Sequence, residues 1–245
     1  MPPRPYPRVS SYSFGPGPIS TALKTLIAAN VVLFFMQRLV PGTTLELGLR
    51  PVMVVEHFKI WQLVTYMFLH VGLLHILFNM LALWMFGAEL ERIWGTRYFL
   101  KFYFVTGGGA AILTVLLSYF FSLGLQDAVI VGASGAIYGL LLAYAMYFPE
   151  RPIYMYFVFP IPAKYFVLIM GALAFYSSVA DAGGVAHATH LGGLVVGYFY
   201  LKGVRLHPWA EVKYRYLKWK IMRARKRFDV YQGGRPDDDW NRRVH

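Results

Sequence analysis

Three stretches of this 245-residue chain carry side chains able to perform acyl transfer: His75 with Asn79, then Ser134, then His187 with His190. All five lie in the first turns of long apolar segments, where polar and ionisable groups are expensive and each demands a reason. On a helix His75 and Asn79 share one face, about 6 Å apart along the axis. Acyl transfer needs a hydroxyl, a base within hydrogen-bond reach, and donors aimed at the oxygen where negative charge develops. Ser134 offers the hydroxyl, His190 or His187 the base, and His75 and Asn79 the donors. A serine at the beginning of a helix also has unpaired backbone N–H groups and the positive end of the helix dipole beside it. Taken singly, each residue has a plainer reading. Ser134 suits a helix contact, Asn79 an interhelical link, and His75 or His187 an interfacial site. Those readings do not predict their coincidence at one depth on three segments.

Glycine spacing supplies a way for two of these segments to meet. In GASGAIYG, Gly132 precedes the serine and Gly135 and Gly139 follow it four apart; in HLGGLVVG, Gly193 and Gly197 follow His190 with the same interval. Both are small-xxx-small faces, and packing one on the other would draw two backbones together and set Ser134 opposite His190. The serine context is not the elbow of soluble hydrolases, because GASGA lacks the second glycine of G-x-S-x-G and no strand precedes it.

The elements that must position these groups are membrane helices. Hydrophobic residues make up 57% of the chain and charged residues 15%, against roughly 45–50% apolar for a soluble domain. Six segments approach the ~20 apolar residues needed to cross a bilayer as a helix: about 21–39, 73–93, 98–123, 134–149, 163–180 and 186–203. They do not alternate as barrel strands would. The expected fold is therefore all-α, a polytopic six-helix bundle.

The formal charge of +12 is concentrated after residue 203, in a run that includes Arg223, Arg225, Lys226 and Arg227. The positive-inside rule places that tail in the cytoplasm, and an even number of spans places the N-terminus there too. Arg92 and Arg97, and Arg151 and Lys164, then fall inside, while Asp127 and Asp181 fall outside. The tail reads as a basic surface helix beside anionic headgroups, since no nucleic-acid motif accompanies it. With no cysteine, thiolate catalysis and zinc–thiolate sites are excluded.

Three regions follow: a Pro-, Gly- and Ser-rich cytoplasmic leader over 1–19, a membrane domain over 20–203, and the basic cytoplasmic tail over 204–245. The longest outside connection, about 40–72, contains Trp61, Gln62, Tyr66, Phe68 and His70 and reads as an interfacial segment. Thr106 and Gly107 to Gly109 in the third span would admit a close neighbour. The leader is not arginine-rich or amphipathic like a transit peptide, which favours a bacterial inner membrane.

At these residues the chain resembles the rhomboid family, over roughly 20–203. GASGAIYG is similar to that family's GxSGxxxG, HLGGLVVG to its HxxGxxxG, HILFN to the start of its second span, and ERIWGTR to the turn that follows. Trp61-Gln62 falls where some members have Trp-Arg. The resemblance implies Ser134 as nucleophile and His190 as general base, since His190 alone begins the HxxGxxxG register. It also implies an oxyanion hole of His75, Asn79 and the Ser134 amide, and Tyr138 stacked beneath the catalytic histidine. The implied activity is intramembrane serine proteolysis of transmembrane protein substrates, with a small side chain before the cut and no metal or cofactor. Two rivals make different predictions. A non-catalytic rhomboid-like escort would tolerate loss of Ser134, and a transporter would use the histidines as a proton path. Against the latter, acidic residues occur within the spans only at the inner end of the second, as Glu89 and Glu91, and the chain lacks repeats.

Overall fold

The computed structural model describes residues 18–120, 126–155, 159–180 and 185–203. The expected leader up to residue 17, the basic tail from 204 and Asp181 lie outside the described residues. Helix α1, Thr21–Leu39, opens on Ser20, whose hydroxyl accepts from the Leu23 N–H and so caps it. The same hydroxyl donates to the buried Glu91 carboxylate at 2.6 Å.

The connection after α1 is a chain of short helices: α2, Thr43–Leu47; α3, Pro51–Val55; α4, Gln62–Thr65; and a 3-10 turn, Tyr66–Phe68. The fully buried Gln62 holds it together. Its amide oxygen accepts from the Arg50 N–H, and its NH2 donates to the carbonyls of Leu45 and Glu46. Trp61 adds a bond from Nε1 to the Glu46 carbonyl, and Thr65 one from its hydroxyl to that of Leu47. At Gln62 a neutral amide thus serves three backbone groups from one buried position.

Helices α5, Leu73–Trp94, and α6, Thr96–Phe120, follow, joined at Gly95, whose φ of 76° suits glycine. Glu91 accepts from Thr96 at 2.6 Å and ties this turn to α1. Then come α7, Ser134–Tyr147; α8, Ala163–Ala180; and α9, Val185–Gly203. Among the described residues α1, α5 and α6 are long and apolar enough to cross a membrane. The 14 residues of α7 rise only about 21 Å, short of the ~30 Å hydrocarbon layer. Against the all-α expectation, strands β1, Pro152–Met155, and β2, Phe159–Pro162, pair antiparallel with Ile153 opposite Ile161. Prolines 149, 152, 160 and 162 prevent a continuous helix there, and the aromatic and branched residues between them suit a pleated ribbon.

The core fills with Leu83, Phe99, Phe102, Tyr103 and Leu140, all fully buried. Glycine sets the distances around α7. A Cβ on Gly193 would lie 1.9 Å from the Gly135 carbonyl oxygen, and one on Gly197 would lie 3.2 Å from the Gly139 Cα. On the other side, a Cβ on Gly139 would meet Thr106 of α6 at 2.8 Å. Helix α6 also receives α9, where a Cβ on Gly192 would lie 3.0 Å from the Ala110 Cα. Buried Thr114 and Thr189 join these two helices through their hydroxyls at 2.9 Å. Because the obstacle at Gly193 is backbone, Gly193→Ala is expected to cost more than the roughly 1–3 kcal/mol of ordinary overpacking. Gly72→Ala, where nothing lies within 4 Å, is expected to leave the thermal midpoint in detergent nearly unchanged.

Candidate active site

Ser134 is the first residue of α7, after Ala133 as N-cap. The first helical bond runs from the Ile137 N–H to the Ala133 carbonyl, so the N–H groups of Ser134, Gly135 and Ala136 have no partner within the helix. On α9 the close approach at Gly135 and Gly193 brings His190 alongside. Its Nε2 lies 2.7 Å from Ser134 Oγ. The Tyr138 ring, one helical turn beyond Ser134, stacks on the imidazole with centroids 4.4 Å apart and planes within 5°. His187 stands edge-on to His190 at 5.6 Å. His190 Nδ1 is buried and has no hydrogen-bond partner among the described residues, so no carboxylate among them orients the ring as one does in a Ser-His-Asp triad.

Gly132 shapes the approach to Ser134. Its φ of 128° favours glycine, and its N–H donates to the Tyr66 carbonyl at 2.9 Å. A Cβ there would lie 2.9 Å from both Cε1 and Nε2 of His75 and 3.6 Å from Ser134 Oγ. His75 thus presents its Nε2 edge to the turn before the serine. Asn79, almost fully buried, donates one amide N–H to the His75 carbonyl at 2.7 Å, and its second N–H remains. The turn is anchored at the back: Ile130 and Leu49 exchange both backbone bonds at 2.9 Å, and the Tyr66 hydroxyl donates to the Gly107 carbonyl at 2.8 Å.

The structure therefore gathers Ser134, His190, Tyr138, His75 and Gly132 into one cluster, with Asn79 attached through the His75 backbone. Gly135, Gly139, Gly193 and Gly197 lie beneath it at the crossing of α7 and α9. Residues 57–206, more than half of the chain, match the Rhomboid domain. The chain belongs to the rhomboid family. It is 30% identical to the Rhomboid protease GluP of Bacillus subtilis over 180 residues, covering 71% of this chain and 32% of that protein. Over 138 residues it is 33% identical to Rhomboid protein 1, mitochondrial, of Saccharomyces cerevisiae, covering 54% and 38%. It is 27% identical to RHOMBOID-like protein 2 of Arabidopsis thaliana over 179 residues, covering 73% and 52%. These alignments span about a third to a half of the length of the relatives. The protein is thus a membrane-embedded rhomboid.

Three residues of this rhomboid that surround the site carried no motif signal. The Thr189 methyl fills the space beside Gly135, where a Cβ would meet it at 3.2 Å, and its hydroxyl lies 2.9 Å from that of Thr114; a lone threonine beside a histidine reads as ordinary. Tyr66 holds Gly132, and His70 lies against the His75 ring with centroids 4.9 Å apart. Both entered the sequence reading only as part of the connection over 40–72.

Burial, with His75 next to it, lowers the His70 pKa to about 4. A histidine lowered in the folded state binds its proton more readily when unfolded, so its contribution to stability is complete above about 6.5 and is lost as pH falls towards 4. The thermal midpoint in detergent is expected to fall over that interval, and to fall less in His70→Phe, when followed by scanning fluorimetry.

Proposed function

We propose that this rhomboid is an intramembrane serine endopeptidase working through a Ser134–His190 dyad. The observation that carries the reading is the 2.7 Å contact between His190 Nε2 and Ser134 Oγ, with the imidazole plane fixed by Tyr138. His190 takes the hydroxyl proton as Oγ attacks the scissile carbonyl. The oxyanion that forms receives the Ser134 N–H, His75 Nε2 and the free Asn79 N–H. His190 then gives its proton to the departing amine, leaving an acyl-enzyme on Ser134. A water, deprotonated by His190, releases the new carboxyl end and restores the serine. No metal or cofactor enters these steps.

Six spans, α1 and α5 to α9, with both ends of the chain cytoplasmic, accord with the charge asymmetry of the sequence. Because α7 is short and Ser134 begins it, this topology puts the reaction just below the outer membrane face. Substrates are then transmembrane proteins whose helices unwind near that face, because a helix hides its carbonyls in hydrogen bonds. The basic segment after residue 203 suits anionic headgroups. The name of the Bacillus relative, a rhomboid protease, supports the same activity.

A fluorescent fluorophosphonate, which needs no substrate, tests the dyad. In purified protein, wild type and His187→Ala are expected to be labelled, while Ser134→Ala and His190→Ala lose labelling by about 10³-fold or more. Labelling that survives Ser134→Ala, or a folded wild type that takes no label, returns the chain to the client-binding reading.

A further inference from the structure

His70 is fully buried, and among the described residues its ring nitrogens make no regular hydrogen bond, only a weak one with the Phe68 backbone. Leaving buried polar atoms unpaired is costly, and an apolar ring of the same shape would avoid that cost. The surrounding bonds hold this residue in place. The Gln37 side chain clamps its backbone from the end of α1: Nε2 donates to the His70 carbonyl, and Oε1 accepts from the His70 N–H at 3.1 Å. Arg38 donates to the next carbonyl, that of Val71, at 3.0 Å. With its backbone fixed, the His70 imidazole meets the His75 ring edge to face, at 4.9 Å and 66°. His75 in turn has its own Nδ1 buried and unpartnered among the described residues, while its Nε2 edge faces Gly132 and Ser134. Among the described residues no hydrogen bond orients the His75 ring, which leaves its ring contacts to do so.

We propose that His70 is a positioning residue for His75: clamped by Gln37, its imidazole makes a polar edge-to-face contact that keeps the His75 Nε2 edge turned towards Ser134. The inference rests on the serine protease reading, in which that edge donates to the oxyanion. A polar edge set against a ring face gives a directional preference that a phenyl ring does not reproduce with the same charge distribution. The weakly paired nitrogens then mark a site where stability is given up for orientation.

The test compares wild type, His70→Phe, Gln37→Leu and a core control, Leu83→Ala, purified in detergent. Thermal midpoint is measured beside the saturable kinetics of fluorophosphonate labelling at Ser134, whose phosphoryl oxygen occupies the oxyanion position. His70→Phe is expected to keep or raise the midpoint while its maximal labelling rate falls about tenfold, as a small misplacement of a reacting group does. Its half-saturating probe concentration stays within twofold of wild type. Gln37→Leu is expected to lose labelling rate beyond that of Leu83→Ala when both are compared at equal distance below their own midpoints. Wild-type rates in His70→Phe, or a rate loss that follows the midpoint equally in all three variants, overturn the positioning role while the protease reading stands. A folded wild type that takes no label removes both.

Discussion

The arrangement depends on the contact between two backbones at Gly135 and Gly193. A Cβ on Gly193 would meet the Gly135 carbonyl oxygen at 1.9 Å, so neither an alanine nor a rotamer change elsewhere can substitute for the absent side chain. In lipid no hydrophobic force drives helices together, and close packing of small faces must supply the association. Here the closest approach falls one residue from Ser134 and three from His190. The step that joins the helices also brings hydroxyl and imidazole within hydrogen-bond distance.

That economy has a consequence for the candidate base. In a Ser-His-Asp triad a carboxylate fixes the imidazole through Nδ1, but a carboxylate inside a bilayer is costly. In this rhomboid, Nδ1 of His190 has no partner among the described residues, and the plane of the ring is set by Tyr138 stacked at 4.4 Å. A stacked ring restrains tilt without introducing a charge. It comes from α7 itself, one turn beyond the serine, so nucleophile and ring support move as one body. Thr189, bonded to Thr114 and with its methyl beside Gly135, ties the α9 backbone next to His190 to the same region.

Much of this was legible because spacing carries geometry. Gly135 and Gly139, and Gly193 and Gly197, are four apart on helices, so the sequence states that two faces are bare. Helix α8 begins and ends where its apolar run does, and α1 and α9 do so to within a residue. The three short helices before α5 were not legible. Runs of four or five residues have no period to read, and their order comes from a buried amide, Gln62, bonded to backbone 12 to 17 positions away. His70 was hidden for a related reason. Its role depends on Gln37, 33 residues earlier, and on a ring contact across a change of element. The β1–β2 ribbon was not legible because its strands are only four residues each, too short to show an alternation.

The short α7 explains why so much structure is spent on the connection between α1 and α5. A helix that starts below the surface leaves the preceding chain at a depth where unpaired backbone is prohibitive unless protein surrounds it. Residues 126–133 meet that demand with partners from the connection: Val52 donates to the Gln126 carbonyl, Leu49 and Ile130 exchange a pair of bonds, and Gly132 donates to the Tyr66 carbonyl. Tyr66 is itself fixed through Gly107 on α6, and the residues after it carry His70 to the clamp at Gln37. The connection is thus the hydrogen-bonding wall behind the segment that leads into Ser134. Its internal order, held by Gln62, and the orientation of His75 beside Gly132 are two parts of the same structural requirement.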